Sequence, residues 1–144
     1  PALNRLKQLM DSGELGAIRY VQSDRLNHNR FRGDRNALWD LAPHDLSVLF
    51  YLLGGEPEAL EAAAGFRCRD DGKVDMAQVS LRFPGGVGAH LQASWVYPKK
   101  QVQLVVVGER RSAILDDTRP GADTLVLVEH DGPGGPTLSH PPYL

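Results

Sequence analysis

The chain has 144 residues, which is enough for one domain with a hydrophobic core of its own. Hydrophobic residues make up 42% and charged residues 24%, and 16 basic against 18 acidic side chains give a formal net charge of −2. This near balance argues against a dedicated nucleic-acid-binding protein, which would carry a strong basic excess. The single cysteine, Cys68, excludes an intramolecular disulfide and zinc sites of the CxxC type.

Targeting signals are absent from the sequence as given. No apolar run approaches the roughly 20 residues that a membrane-spanning helix needs, and the chain opens directly at PALNRLKQLMDSG without a secretory signal. We therefore expect a cytoplasmic protein with no membrane and no nucleic-acid partner. Because the chain begins at Pro1 without Met and stops at Leu144 in an irregular stretch, we also expect that both ends are cuts in a longer protein.

The first third of the chain predicts two helices around one strand. Apolar residues at helical spacing favour a short helix over about residues 2–12, and a strand follows to about Leu26. Residues 27–38 are polar and basic without a period, which predicts a loop. A second helix is expected to begin near Pro43, whose missing N–H is not needed in a first turn, and to end before Gly54. This helix is apolar nearly all round, which predicts burial.

After this helix the period of the apolar residues changes from helical spacing to two, which predicts a series of strands. Their connections are short and turn-like, which favours hairpins and antiparallel pairing. The fold class expected is α+β, with a mostly antiparallel open sheet of about six or more strands and the helices on one face. The predicted strands cover residues 60–68, 77–83, 87–95, 101–107, 111–116 and 123–130, and the remaining tail is predicted to be loop.

One strand is apolar on both of its faces. Val105 and Val107 fall on the face opposite Leu104 and Val106, and the helices can cover only one of these two faces. An apolar face that no helix covers indicates a partner surface. We therefore expect a homo-oligomer that forms through the open face of the sheet.

Several catalytic and cofactor signatures are missing from the sequence. No glycine-rich G-x-G-x-x-G turn stands between a strand and a helix, and neither a Walker phosphate loop nor a serine nucleophile elbow is present. No cofactor-binding residue is therefore predicted in this chain. Cys68 occupies an alternating strand position, which favours a packing or surface role over a nucleophile.

The stretch WDLAPHD carries a candidate acid/base pair. Asp40 and His44 are four residues apart, so their side chains share one face if the helix already extends over Asp40. A neutral imidazole can accept a proton and a neighbouring carboxylate can orient it. In the structural alternative, Asp40 caps the helix and His44 is a satisfied polar residue. A third reading lets the pair hold a metal with His28, but no metal site is predicted.

The segment before this pair is rich in arginine and asparagine. From Arg19 to Asn36 it holds five arginines against two aspartates, in a chain whose net charge is negative. Such a segment leading into a candidate base is typical of a pocket for a polyhydroxylated or anionic small molecule, and the alternative is a solvated surface loop. The candidate substrate-binding residues are Arg25, Asn27, Asn29, Arg32 and Asn36.

Taken together, the segments PALNRLKQLMDSGELG, WDLAPHDLSVLFYLLGG, DMAQVSLRFPGG and AHLQASWVYPKK resemble the C-terminal domain of the Gfo/Idh/MocA family. The resemblance implies that residues 1–144 form the substrate-binding and oligomerisation domain of an oxidoreductase whose N-terminal Rossmann domain, absent from this chain, binds most of the NAD or NADP. It further implies that His44 is the acid/base at a substrate hydroxyl and that Asp40 supports it. The form WDLAPHD looks most like members that oxidise sugar nucleotides.

The function expected is therefore that of one half of an NAD(P)-dependent dehydrogenase. The substrate would be a sugar, a sugar nucleotide or a cyclitol, and the chain alone is expected to be inactive. The alternative is a stand-alone α+β module that binds a small ligand or a protein partner without catalysis.

Overall fold

The structure is a computed structural model that describes residues 2–28, 33–34, 36–131 and 135–137. Within these residues the fold has two helices and eight strands, with single 3-10 turns at Pro84–Gly86 and Gly121–Thr124. In chain order the elements are α1 (Ala2–Asp11), β1 (Ile18–His28), α2 (Ala37–Leu53), β2 (Ala59–Phe66), β3 (Met76–Phe83), β4 (Val87–Ser94), β5 (Val96–Gly108), β6 (Arg111–Asp116), β7 (Leu125–Asp131) and β8 (Gly135–Thr137).

The strands form one sheet in the order β2-β3-β4-β1-β5-β6-β7-β8. Every neighbouring pair is antiparallel except β1 and β4, which run parallel. Strand β4 ends with Ser94 opposite Leu26, and β5 begins with Val96 opposite His28. The chain therefore crosses the end of β1 at Trp95. The predicted α+β class and the mostly antiparallel sheet are confirmed.

Both helices pack on the same face of the sheet. Leu6 of α1 and Leu49 of α2 belong to one buried cluster with Val21 of β1 and Val106 of β5. Val21 lies opposite Val106 in the register, so the cluster is centred on the middle of the sheet. Each fully buried aliphatic side chain stabilises the fold by roughly 1.5–3 kcal/mol relative to exposure. This layer holds α2 in place over the end of β1.

The predicted boundaries around α2 are wrong. Strand β1 continues to His28, and α2 begins at Ala37 rather than at Pro43, so the predicted loop over 27–38 is too long at both ends. The Asn36 side chain caps the helix by accepting a hydrogen bond from the Trp39 N–H at 3.0 Å. A helix that is capped at residue 36 continues through Pro43, which leaves one carbonyl in the preceding turn without its usual donor.

The predicted burial of α2 on all sides is also wrong. Leu41 and Leu49 are buried, whereas Trp39 is 69% and Tyr51 45% exposed. The reason is geometric, because a helix that lies on one sheet face has a second side that the sheet cannot reach. None of the helices in the described part of the chain is long and apolar enough to cross a membrane.

The later strands lie where the alternation predicts them, but several of their bounds differ. Strand β2 ends at Phe66, so Cys68 lies after the strand and not within it, and β7 begins at Leu125. Strand β6 has the predicted bounds, but β5 begins at Val96, because its first residue pairs with His28 across the end of β1. Within the tail predicted to be loop, residues 135–137 pair with β7 as a short strand. The rest of that tail beyond Thr137 lies outside the described residues.

Candidate functional site

The candidate acid/base pair lies on α2 where this helix passes the end of β1. Asp40 stands in the first turn of the helix, and His44 follows one turn later on the same face. The imidazole of His44 belongs to an exposed residue, whereas Asp40 is partly buried. The structural alternative that made Asp40 the helix cap is wrong, because Asn36 takes that role. An exposed imidazole can exchange protons with a ligand on the outer side of α2.

A buried indole holds the Asp40 carboxylate. Trp95 is fully buried, and its Nε1–H donates a hydrogen bond to Asp40 Oδ2 at 3.2 Å. Ala37 and Leu41 of α2 pack in the same small buried cluster as Trp95 and fix the helix over the indole ring. A donor inside the protein therefore helps to orient the Asp40 carboxylate. Trp95 is the last residue of the strand predicted over 87–95, and no sequence pattern connects it with Asp40.

Main-chain hydrogen bonds of Val74 and Asp75 join the elements around this indole. The Trp95 N–H donates to the Asp75 carbonyl at 2.9 Å, and the Asp75 N–H donates to the Phe66 carbonyl at 2.9 Å. The Ala37 N–H at the start of α2 donates to the Val74 carbonyl at 2.9 Å. One short segment before β3 thus ties together the end of β2, the crossing at Trp95 and the first turn of α2.

The side chain of Asp75 is itself fully buried and well satisfied. Its carboxylate accepts hydrogen bonds from the backbone N–H groups of Cys68 and Arg69 at 2.8 and 2.9 Å, and from Arg69 Nη2 at 2.6 Å. Burial alone would raise the pKa of Asp75, but these hydrogen bonds and the Arg69 charge outweigh it and hold the pKa below its ordinary value. No spacing pattern in the sequence pointed to this residue.

Arg25, a candidate substrate-binding residue, forms an ion pair beneath α2. Its Nη2 lies 3.0 Å and its Nε 3.2 Å from Asp45 Oδ1, and the Asp45 side chain is only 5% exposed. This ion pair joins β1 to α2 one residue after His44. A role of Arg25 toward substrate stays a prediction, and in the structure its guanidinium holds the helix that carries the candidate base.

The other predicted site residues lie around the connection between β1 and α2. Asn27 is buried near the end of β1, and Asn36 is the cap of α2. Asn29 and Arg32 lie outside the described residues, so their roles stay predictions. His28 is exposed at the end of β1, and in the described ranges no three His, Cys, Asp or Glu side chains cluster as a metal site would require.

Comparisons with known proteins assign this fold to a family. The sequence matches the family described as GFO/IDH/MocA C-terminal domain over residues 3–114. A comparison with curated protein sequences found no significant match.

Among solved structures, UDP-N-acetylglucosamine 3-dehydrogenase GnnA from Acidithiobacillus ferrooxidans is 28% identical with a TM-score of 0.70, over 89% of this chain and 42% of that one. A protein from Magnetospirillum magnetotacticum, provisionally described as an oxidoreductase, is 30% identical with a TM-score of 0.77, over 94% and 43%. The WlbA dehydrogenase from Bordetella pertussis, in complex with NADH and UDP-GlcNAcA, shares the fold at 19% identity and a TM-score of 0.67, over 85% and 42%.

The chain therefore spans less than half the length of these solved relatives. The family match, in contrast, covers most of the chain and includes α2 with Asp40 and His44, the strand that ends beside Trp95 and the sheet as far as β6. By sequence and by fold, this chain belongs to the GFO/IDH/MocA C-terminal domain family.

Proposed function

We propose that this chain is the substrate-binding domain of an NAD(P)-dependent dehydrogenase that oxidises a hydroxyl group of a sugar or sugar nucleotide. The observation that carries the proposal is the placement of His44 on the exposed side of α2, one turn after Asp40, whose carboxylate Trp95 holds. His44 takes the hydroxyl proton as the hydride leaves the same carbon, and Asp40 stabilises the imidazolium that forms.

The nicotinamide of NAD(P), when bound, supplies the hydride acceptor. In the described part of this chain no glycine-rich turn precedes a helix, which is the usual cradle for the cofactor diphosphate. The residues present therefore fit a substrate site and not a dinucleotide site. We assign the cofactor to a separate nucleotide-binding domain, and the chain alone is expected to be inactive.

Sugar nucleotides are the favoured substrate class because GnnA, which is 28% identical, is a UDP-N-acetylglucosamine 3-dehydrogenase. The proposal is tested with the enzyme that contains this chain together with its nucleotide-binding domain. Sugars and sugar nucleotides are supplied with NAD or NADP, and formation of the reduced cofactor is recorded. Saturable oxidation of at least one substrate supports the function. Ligand binding without any oxidation would instead support the stand-alone binding module.

The open face of the sheet is proposed to join two copies of the chain. Val105 lies opposite Ile114 in the register, on the face away from the helices, and both residues are only partly buried. Ile114 in turn lies opposite Val126 of β7, so the apolar strip crosses three strands. A second copy that presents the same face is the simplest cover, because isologous contacts are the commonest arrangement in oligomers.

Replacing Val105 by Lys should weaken this dimer. Burying a valine stabilises by roughly 1.5–3 kcal/mol, and a lysine at the centre of the strip adds the cost of an unpaired charge. Light scattering after size-exclusion chromatography should give a dimer or larger species for the wild type and a smaller mass for Val105→Lys. Ser47→Lys, on the exposed side of α2, is the charge-matched control and should keep the wild-type mass. A monomeric wild type at tens of micromolar would refute the interface.

Removing the indole N–H of Trp95 should lower the turnover of the enzyme, because this group positions Asp40. Trp95→Phe keeps an aromatic ring in the cluster with Ala37 and Leu41 but removes the indole N–H that donates to Asp40. We expect kcat to fall by about tenfold, the usual size of one lost hydrogen bond to a charged group, with KM changed less. Thermal unfolding is measured alongside, since the effect must exceed any loss of folded protein. An unchanged kcat in the folded variant would show that the Trp95 hydrogen bond is dispensable.

A further inference from the structure

A second surface feature lies beside the candidate acid/base pair. A cleft of about 540 Å³ opens between the start of α2 and the connection from β2 to β3. The described residues that carry its chemistry are Asp34, Asn36, Trp39, Arg67 and Lys73. The proposed proton transfer uses none of them, although Trp39 directly precedes Asp40 in the sequence. The cleft therefore has a polar, charged and aromatic lining that the proposed proton transfer does not explain.

One wall of the cleft presents a large aromatic side chain to solvent. Trp39 is 69% exposed, the highest value among the exposed large hydrophobic residues of the described chain, whereas Trp95 is fully buried. An indole ring that is held on a helix and left open on one face is a suitable platform for a flat ring, since stacking needs only a π surface and excludes water. The Trp39 side chain is thus suited to stack on a heterocycle.

The opposite wall carries positive charge. Arg67 and Lys73 stand on the connection between β2 and β3, and among the described lining residues only Asp34 is acidic, although the whole chain has a net charge of −2. The Lys73 ammonium donates to the Gly33 carbonyl, next to Asp34 in the sequence. Arginine and lysine side chains on one wall are the usual partners of phosphate oxygens.

The charged wall is built on a rigid support. The buried Asp75 carboxylate binds the backbone N–H groups of Cys68 and Arg69, directly after Arg67. The Lys73 N–H donates to Asp71 Oδ1 at 3.0 Å, which fixes the turn from the other side. Because this connection is anchored at both ends, its two cations can be presented to a ligand at a lower entropic cost than cations on a free loop.

We propose that this cleft binds the nucleoside diphosphate part of a sugar-nucleotide substrate, with the base on Trp39 and the phosphates near Arg67 and Lys73. The inference rests on the proposed function, because it assumes that the sugar of the same molecule reaches His44. Trp39 and His44 are five residues apart on α2, which is about 7.5 Å along the helix axis and about 140° around it. A ligand seated on Trp39 must therefore pass partly around the exposed side of the helix for its sugar to reach His44.

The test uses the intrinsic fluorescence of the chain, with UDP as the probe. The chain has two tryptophans, and only Trp39 is exposed, so a base stacked on it should quench the fluorescence in a saturable way. Trp39→Phe should abolish the quenching, while calorimetry still detects UDP, because phenylalanine keeps a flat ring. Trp39→Ala and Arg67→Ala should each weaken UDP binding by about tenfold. Arg5→Ala, an exposed arginine on α1, is the matched control and should bind as the wild type does.

The outcomes separate the cleft from the proposed function. If UDP does not bind, or binds equally well to the wild type, Trp39→Ala and Arg67→Ala, the cleft proposal is overturned, even where the enzyme oxidises a sugar through His44. If UDP binds as expected but the enzyme oxidises no sugar nucleotide, the cleft proposal stands as a nucleotide site and the dehydrogenase function fails. If uridine quenches the fluorescence with the same dissociation constant as UDP, the phosphates do not contribute to binding, and the role of Arg67 and Lys73 is overturned.

Discussion

Replacing His44 by Ala should lower kcat of the dehydrogenase by about 10²–10⁴-fold, which is the usual contribution of a positioned acid/base group. The hydroxyl proton of the substrate then has no acceptor at the moment when the hydride leaves the carbon. The fold should be unaffected, because His44 is exposed on the outer side of α2 and takes no part in the buried clusters. The measurement is steady-state oxidation of the best substrate together with thermal unfolding of both proteins.

Two further variants test whether the loss of activity is specific to His44 and Asp40. Asp40→Asn should cost less than His44→Ala, because an amide still accepts the Trp95 hydrogen bond but no longer stabilises the imidazolium. Ser47→Ala removes an exposed side chain from the same helix, and its hydroxyl donates only to the Pro43 carbonyl, so kcat should stay at the wild-type value. A folded His44→Ala enzyme with near wild-type kcat would show that His44 is structural.

The acid/base pair could be found from the sequence because its geometry is local. A spacing of four residues on a helix fixes two side chains on one face without any knowledge of the tertiary structure. The hydrogen bond from Trp95 to Asp40 and the ion pair between Arg25 and Asp45 could not be found in this way. Both depend on the register that places the end of β4 beside the end of β1, which no local pattern encodes.

The errors in the predicted boundaries have a similar cause. Pro43 is a plausible first-turn residue, and only the cap at Asn36 moves the helix start six residues earlier than the predicted start at Pro43. The parallel pairing of β1 with β4 was likewise hidden, because short turns between consecutive strands predict only antiparallel neighbours. Alternation at period two was sufficient for β3, β4 and β6, since each has one face on the core.

Replacing Asp75 by Asn should lower the free energy of unfolding by on the order of 3 kcal/mol, a value typical of a broken buried ion pair. The side chain is fully buried, and an amide would turn its NH₂ group or a single oxygen toward the N–H groups of Cys68 and Arg69. The side chain of the partner Arg69 is 30% exposed, so the loss of unfolding free energy should be at the lower end of the range for buried ion pairs. Urea denaturation of the wild type and the variant at neutral pH measures it.

The contribution of Asp75 to the free energy of unfolding should also depend on pH. The folded pKa of Asp75 lies below the value of about 3.9 for a free aspartate, so its contribution is present above that pH and is lost as the pH falls through the folded pKa. The difference in unfolding free energy between the wild type and Asp75→Asn should therefore shrink below about pH 4. Asp70→Asn, an exposed carboxylate of the same connection, is the control and should change stability by less than about 0.5 kcal/mol.

The loss of the Asp75 carboxylate should also lower the activity that depends on α2. The Asp75 carbonyl accepts from the Trp95 N–H, and the neighbouring Val74 carbonyl accepts from Ala37 at the start of α2. When the connection that Asp75 anchors loosens, the indole that holds Asp40 loses its own support. We therefore expect Asp75→Asn to lower kcat as well as stability at a temperature where the variant is still folded. A variant as stable as the wild type in urea at neutral pH would show that the buried carboxylate does not anchor this connection.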